Sequence, residues 1–281
     1  MPGSSDVIAS RLWRNVDQNA AAATTYLEQV AHMLAGMKLR ATDLLQLQPG
    51  HHGLELGCGT GRDSEEMARR VMPGGHVVGV DLSAAMVEQA TTRTAGLGLP
   101  LSFRVADGAA LPFAEDSFDG ARVERTLQHV PDPLQVAREL VRVVRPGGRI
   151  VAFEPDWDTM VVGCDPTQQA RDVLRALRAH RVDVATAHGT IGRDTPRLFR
   201  EAGCQTVTVE GVAPALTGLA AADIALNFRG NLAAVVATGA VSEAAAAAWW
   251  QGLEAREAQG SFYASILGTI VVAVVPESTS T

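Results

Sequence analysis

The chain has 281 residues, 47% of them apolar and 20% charged, and 24 Lys+Arg against 31 Asp+Glu leave a formal charge of −7. That balance excludes a nucleic-acid binder, because a phosphate backbone is held mainly by clustered cations. The apolar share excludes extensive disorder and fills a sizeable core.

In chain order, residues 1–50 read as helices without a strand partner, a predicted N-terminal helical cap that stops at Pro49-Gly50. From 52 to 154, short apolar runs alternate with helical patterns, as in βα repeats that close into a parallel sheet. Strands are predicted at 52–55, 76–80, 101–106, 120–124 and 149–154. Ser83 reads as the N-cap of one intervening helix, and Asp132 as the N-cap of another with Pro133 at its first position. Pro146-Gly147-Gly148 is expected to stop that helix and turn the chain into the fifth strand. Beyond Glu154, residues 165–188 read as one long Arg-studded helix, Asp194 as the cap of a short helix ended by Gly203, and Cys204 to Gly211 as a sixth strand. Residues 219–259 read as two alanine-rich helices before a last strand at 263–275. The part from 51 to 281 is thus expected to be one α/β domain, with helical insertions at about 157–190 and 219–260 that cap a substrate site.

The segment richest in chemistry is Gly53-Leu54-Glu55-Leu56-Gly57-Cys58-Gly59-Thr60-Gly61, which joins the first strand to a helix near Arg62. Glycines at 57, 59 and 61 let the backbone turn tightly and a ligand approach the N–H groups of a helix start. A dinucleotide fingerprint is G-x-G-x-x-G, whereas the spacing here is G-x-G-x-G with Glu55 at the strand end. A carboxylate there repels a pyrophosphate but suits a ligand with a sulfonium and an ammonium, such as S-adenosyl-L-methionine. Asp81 ends the second strand, where it can accept hydrogen bonds from both ribose hydroxyls of such a ligand or of NAD. Ala106-Asp107-Gly108 ends the third, placing a carboxylate for an adenine amino group and a backbone N–H for a ring nitrogen.

The motifs ELGCGTG, VGVDLS, VADGAALPFAEDSFD and LVRVVRPGGRIV, in order over about 50–155, resemble the class I S-adenosylmethionine-dependent methyltransferases. The likeness is to the small-molecule group that includes ubiquinone/menaquinone C-methyltransferases and natural-product methyltransferases. It implies an α/β fold: a seven-stranded, mostly parallel Rossmann-like sheet with helices on both faces, a helical lid and an antiparallel last strand. It also implies that Glu55, Gly57, Cys58 and Gly59 line the methionine end of the cofactor and that Asp81 takes the ribose. Leu82 and Met86 would flank the adenine, with plain core as the other reading of Met86, while Ala106, Asp107 and Gly108 would meet its polar edge. The backbone of Glu124-Arg125 would touch the methionine amino group; these two stand where the family often has a small or hydroxyl residue, so their side-chain roles stay open.

Methyl transfer from a sulfonium is an in-line displacement, so holding the partners in line is the main task, and a base is needed only if the acceptor must lose a proton. His129 is the candidate base, since its ordinary pKa lies near neutrality; the other reading is that it caps backbone beside Pro131-Asp132. Gln128 is a candidate contact to the acceptor, and His188 a second candidate base. Trp13, Tyr26, Trp157, Asn227 and Phe228, with Asp156, Asp158 and Arg229 beside them, either close the crevice as a water-excluding lid or anchor helices. Lys38, the only lysine, lies outside the motif core, so no lysine base is expected. Arg171, Arg175, Arg178 and Arg181 fall on one helix face, read as solvated or salt-bridged.

Three widely spaced cysteines and the lack of HExxH or a paired Asp/His cluster give no metal motif. The function expected is O- or C-methylation of a small, largely apolar acceptor in secondary-metabolite biosynthesis. The alternative is an enzyme on the same scaffold that binds the cofactor but catalyses cyclisation or rearrangement without transferring methyl. The partner expected is a small-molecule acceptor, with no nucleic acid and no membrane, for a monomer or homodimer. The first residues carry no signal-peptide pattern and the longest apolar run, 270–275, is too short to span a bilayer, so a cytoplasmic location is expected.

Overall fold

The computed structural model describes residues 20–277. Two helices, α1 (Ala20–Met33) and α2 (Ala35–Leu44), lead into β1 (His52–Leu56), α3 (Arg62–Val71), β2 (His76–Asp81) and α4 (Ala84–Thr94). Then come β3 (Leu101–Val105), β4 (Phe118–Glu124), α5 (Pro133–Val143) and β5 (Val144–Val162). α6 (Gln168–His180) runs into a π-helical turn at Arg181–Ala185, followed by α7 (Ile191–Glu201) and β6 (Thr206–Val212). α8 (Leu219–Leu226), α9 (Phe228–Ala237) and α10 (Glu243–Ala258) precede β7 (Ala264–Val274).

The helix starts follow from their caps. The Ser83 side chain accepts from the Met86 N–H at 3.2 Å, and Asp132 accepts from that of Gln135 at 3.0 Å with Pro133 behind it. Such a cap stabilises a helix by about 1 kcal/mol. The strands form one seven-stranded sheet in the order β3-β2-β1-β4-β5-β7-β6, parallel except for β7, which is antiparallel to β5 and β6. β1 pairs with β2 on one side and β4 on the other, so the strand order reverses there; a crevice opens at such a point beyond the carboxyl ends of the strands.

Both faces of the sheet are covered. Leu54, Val123 and Ile150 pack with Leu140 of α5 and Phe199 of α7 on one face, and Met67, Val77 and Val151 with Ala41 of α2 on the other. A third apolar cluster joins α6 and α8 to α10 to the far ends of β5 and β7.

Four sequence expectations need correction. β5 is 19 residues long and continues past Glu154 because β7 stays beside it, through Asp156↔Leu267 and, after a bulge, Val161↔Ser265. The region from 157, expected to be helical, therefore begins as strand; regular pairing with β4 does start at Arg149, after Pro146-Gly147-Gly148. The helix expected over 165–188 ends at His180. Asp194 lies within the first turn of α7, where it complements the helix dipole; Thr190 occupies the N-cap and donates to Asp194 Oδ2 at 3.3 Å. The stretch 219–259 holds three helices, not two, because Asn227 takes a left-handed backbone (φ +52°) and bends α8 from α9 by 60°. Among the described residues no single helix is long and apolar enough to cross a membrane.

Candidate functional site

A cavity of about 840 Å³ lies over the carboxyl ends of β1, β2 and β4, within the range of small-ligand sites, and Thr25, Tyr26, Leu27 and Gln29 of α1 form one wall. Its floor is the glycine loop. Gly57 holds φ +73°, and a Cβ there would lie 2.0 Å from the Thr126 hydroxyl, so no other residue fits. The Gly59 N–H donates to Asp81 Oδ2 at 2.9 Å, and the Ser83 N–H to Oδ1 at 3.0 Å. One buried carboxyl thus ties the loop to the start of α4.

Beside the loop, strand alternation assembles a charged cluster. Glu55 and Arg122 are register partners on β1 and β4, and Glu124, two residues on, shares the face of Arg122. Arg122 is fully buried and hydrogen-bonds the Thr42 hydroxyl, the Lys38 carbonyl and Glu124. Lys38 reaches in from α2, its Nζ 2.5 Å from Asp63 and 2.6 Å from Glu124. Burial alone would raise Glu124, but Lys38, Arg122 and Arg125 outweigh it and hold its carboxyl at about 2. Glu55 goes the other way: burial and then Asp63 push it up to about 8 despite a hydrogen bond from the Ser64 hydroxyl. Burial thus favours the protonated form of Glu55, while Glu124 is the carboxylate on this wall that its cationic neighbours keep ionised.

The opposite wall is built on Arg125, Trp157 and Arg181. Arg125 follows β4 with φ +48°, a left-handed backbone that costs a non-glycine residue about 1–3 kcal/mol, and its N–H donates to the Phe153 carbonyl at 2.8 Å. Its guanidinium stands 5.9 Å from the centre of the Tyr26 ring. Arg181, in the π-turn, lies 3.5 Å from the centre of the Trp157 ring. Both cations act on His129, which burial first and then Arg181 and Arg125 press down to about 3. Its imidazole is neutral at physiological pH and a weak base. Gln128 accepts from the Trp157 indole at 2.8 Å and donates to the Arg125 carbonyl at 3.1 Å, so both ends of its amide position the wall.

The cavity wall brings together most residues singled out from the sequence. Glu55, Gly57, Cys58, Gly59, Asp81 and Met86 line it, as do Glu124, Arg125, Gln128, His129, Tyr26, Trp157 and Asn227. Leu82 is exposed, and Ala106, Asp107 and Gly108, beyond the end of β3, are also not part of the wall; Asp107 closes its own turn by accepting from the Ala109 N–H at 2.9 Å. Phe228 is corrected from substrate contact to anchor: it is fully buried, edge-on to Trp249 with centroids 5.6 Å apart. His188 is likewise engaged, its Nε2 3.1 Å from the Val130 carbonyl. Trp13 lies outside the described residues.

Sequence reasoning missed Lys38, Asp63 and Arg122, and read Arg181 as part of a solvated face when it lines the cavity. A signal existed for Arg122 alone, a charge set between apolar Ala121 and Val123 in the middle of a strand. Among the described residues no group of three His, Cys, Asp or Glu side chains is disposed to hold a metal ion.

Comparison with known proteins places part of the chain in a family. Residues 54–152 match the family model described as a methyltransferase domain. An uncharacterised 37.1 kDa protein of a Streptomyces fradiae transposon is 37% identical over 251 residues, covering 89% of this chain and 70% of that one. Demethylmenaquinone methyltransferase of Desulfitobacterium hafniense is 35% identical over 127 residues, 44% of this chain and 50% of the relative, so the match spans half of that enzyme. Among solved structures, Haemonchus contortus phosphoethanolamine N-methyltransferase 2 in complex with S-adenosyl-L-methionine superposes with a TM-score of 0.59 at 16% identity, covering 94% of this chain and 60% of that one. At that identity the likeness is one of fold.

Proposed function

The chain belongs to the class I S-adenosylmethionine-dependent methyltransferases, and from that premise we propose that it methylates a small molecule at oxygen or carbon, within secondary-metabolite biosynthesis. The observation that carries the cofactor half of this reading is the loop held by Asp81: the steric demand at Gly57 and the carboxyl bound to the Gly59 and Ser83 N–H groups make a floor that a ligand can approach closely. These residues fit S-adenosyl-L-methionine. Gly57 and Gly59 would hold its methionine part, Asp81 its ribose and Met86 its base, with Glu124 as the anion facing its positive charge. When bound, the cofactor supplies an electrophilic methyl group that leaves sulfur without the bonding electron pair.

The chain's own contribution is alignment and dryness. Orientation of two reactants is worth roughly 7–11 kcal/mol in favourable cases. Leu27 of α1, the Trp157 ring, Ile224 and Ala225 give the cavity apolar surface for the body of the acceptor, which supports an acceptor of largely apolar frame. Gln128 fixes the Trp157 ring against the Arg125–His129 segment, and neutral His129 is able to hydrogen-bond an acceptor hydroxyl without removing its proton at the outset. The place in secondary metabolism rests on the likeness of the motifs to the natural-product group.

Isothermal titration with S-adenosyl-L-homocysteine tests the first half; no binding near millimolar ligand would sink it. Methyl-labelled cofactor with a panel of small phenols and enolisable ketones tests the second, with label expected in product. Turnover without label would favour cyclisation or rearrangement instead.

A further inference from the structure

Arg181 is the one arginine on the cavity wall that has no carboxylate partner among the described residues. Its Nε is shut off from solvent with no acceptor, and its side chain makes no ion pair among the described residues. The other arginines on the wall are compensated: Arg125 Nε lies 3.7 Å from Glu124, Arg229 Nε 3.6 Å from Asp223, and Arg62 2.7 Å from Glu28. Burial lowers Arg181 to about 10, the Tyr26 phenol opposes this, and Arg125 lowers it further; no carboxylate is among its influences. It is still charged at neutral pH.

A cation drawn partly out of water costs free energy unless a counter-charge completes it, and here the open side of the cavity is where such a counter-charge can come from. The guanidinium carbon of Arg181 lies 3.5 Å from the centre of the Trp157 ring, a cation–π contact that takes up none of its hydrogen-bond donors, and a guanidinium fork suits a planar anion. π-helical turns such as Arg181–Ala185 are themselves frequent at functional sites. The charge also lies away from the loop, beside His129 and Trp157, on the wall assigned above to the acceptor.

We infer that the acceptor bears a carboxylate which docks on the guanidinium of Arg181, with Arg125 as the second cation, so that the substrate is a small acid with an apolar body. The inference rests on the methyl-transfer reading above. A carboxylate so held is a handle, since its charge is neutralised by Arg181 and its lone pairs are occupied; the methylated atom is elsewhere on the molecule. The substrate class is thereby narrowed from small, largely apolar acceptors in general to acids among them.

The test uses the full chain saturated with S-adenosyl-L-homocysteine and follows benzoate and its neutral counterpart benzamide by ligand-observed NMR. Benzoate is expected to bind saturably and at least about tenfold more tightly than benzamide, and Arg181→Gln to lose about that factor, as expected for a charged hydrogen bond. Arg181→Lys should keep part of the preference. Homocysteine-product affinity within about twofold of the parent in Arg181→Gln shows that the variant is folded and that the charge does not serve the cofactor. Equal binding of benzoate and benzamide, unchanged benzoate binding in Arg181→Gln, or preference for inorganic phosphate over benzoate would each overturn the inference, as would a parallel loss of cofactor-product affinity. Failure of the parent chain to bind S-adenosyl-L-homocysteine at all would instead remove the methyltransferase reading beneath it.

Discussion

The ammonium of Lys38, on α2, lies 2.6 Å from the carboxylate of Glu124 at the end of β4. The contact joins the N-terminal helices to the strand end that faces the cavity. It also explains how a glutamate is tolerated at a buried strand end: Lys38 and Arg122 compensate its burial.

Replacing Lys38 by Met should therefore cost more than a surface lysine would. Removing one partner of a buried ion pair strands the other and costs about 3 kcal/mol or more. Glu124, held at about 2 against an ordinary 4.5, contributes stability that is present above pH 4.5 and is lost as pH falls through 2. In Lys38→Met the carboxyl rises towards its ordinary range, so acid unfolding should begin at higher pH. Urea midpoints at pH 7 and pH 4 check both statements, and equal midpoints for parent and variant would refute them.

Gly57→Ala and Gly59→Ala should differ. Both place a Cβ on a left-handed backbone, which costs roughly 1–2 kcal/mol. At Gly57 the new carbon would also lie 2.0 Å from the Thr126 hydroxyl, whereas at Gly59 it would meet only the end of the flexible Leu27 side chain at 3.2 Å. Gly57→Ala is thus expected to weaken S-adenosyl-L-homocysteine binding by more than tenfold and Gly59→Ala by less, read by isothermal titration.

These contrasts mark what the residue pattern could and could not reveal. The loop, Asp81 and the parallel strands were legible because local chemistry dictates them: glycines at turn positions, caps at Ser83 and Asp132, and apolar runs too short for helices. The reach of β5 to Val162 was not, because it depends on β7, more than a hundred residues away in sequence, supplying pairing past Pro155. The charged cluster was hidden for the same reason. Lys38, Asp63 and Arg122 come from three elements and acquire meaning only when α2 and α3 pack on the sheet. Arg181 was misassigned by helical spacing, since the helix ends at His180 and the π-turn rotates the next residue to the cavity.

Asp81→Asn keeps the shape of the side chain and one acceptor oxygen but removes the charge and the second acceptor. The Gly59 and Ser83 N–H groups cannot both be satisfied, so the loop loosens in addition to losing the ribose contact proposed for Asp81. Loss of one charged hydrogen bond is about 1.5–3 kcal/mol, so affinity for S-adenosyl-L-homocysteine should fall by about tenfold to a hundredfold. Titration calorimetry reads the loss, and far-ultraviolet circular dichroism should remain unchanged.

His129 gives the last prediction, and its sign follows from its environment. Burial, Arg181 and Arg125 lower the imidazole from 6.5 to about 3, so between those values the unfolded chain binds the proton that the folded one refuses. The stability it contributes is complete above pH 6.5 and is lost as pH falls towards 3. Heteronuclear NMR of the imidazole nitrogens should accordingly show His129 neutral at pH 5. A base that weak does little general-base work, which otherwise contributes about 10²–10⁴ in rate, so His129→Gln should lower kcat by less than about tenfold once an acceptor is in hand. The arginines that depress His129 are the same two assigned to a carboxylate, so benzoate binding should neutralise their field and raise the imidazole pKa. A resonance that titrates near 6.5 in the benzoate-free protein would contradict the action of burial and the two cations on His129.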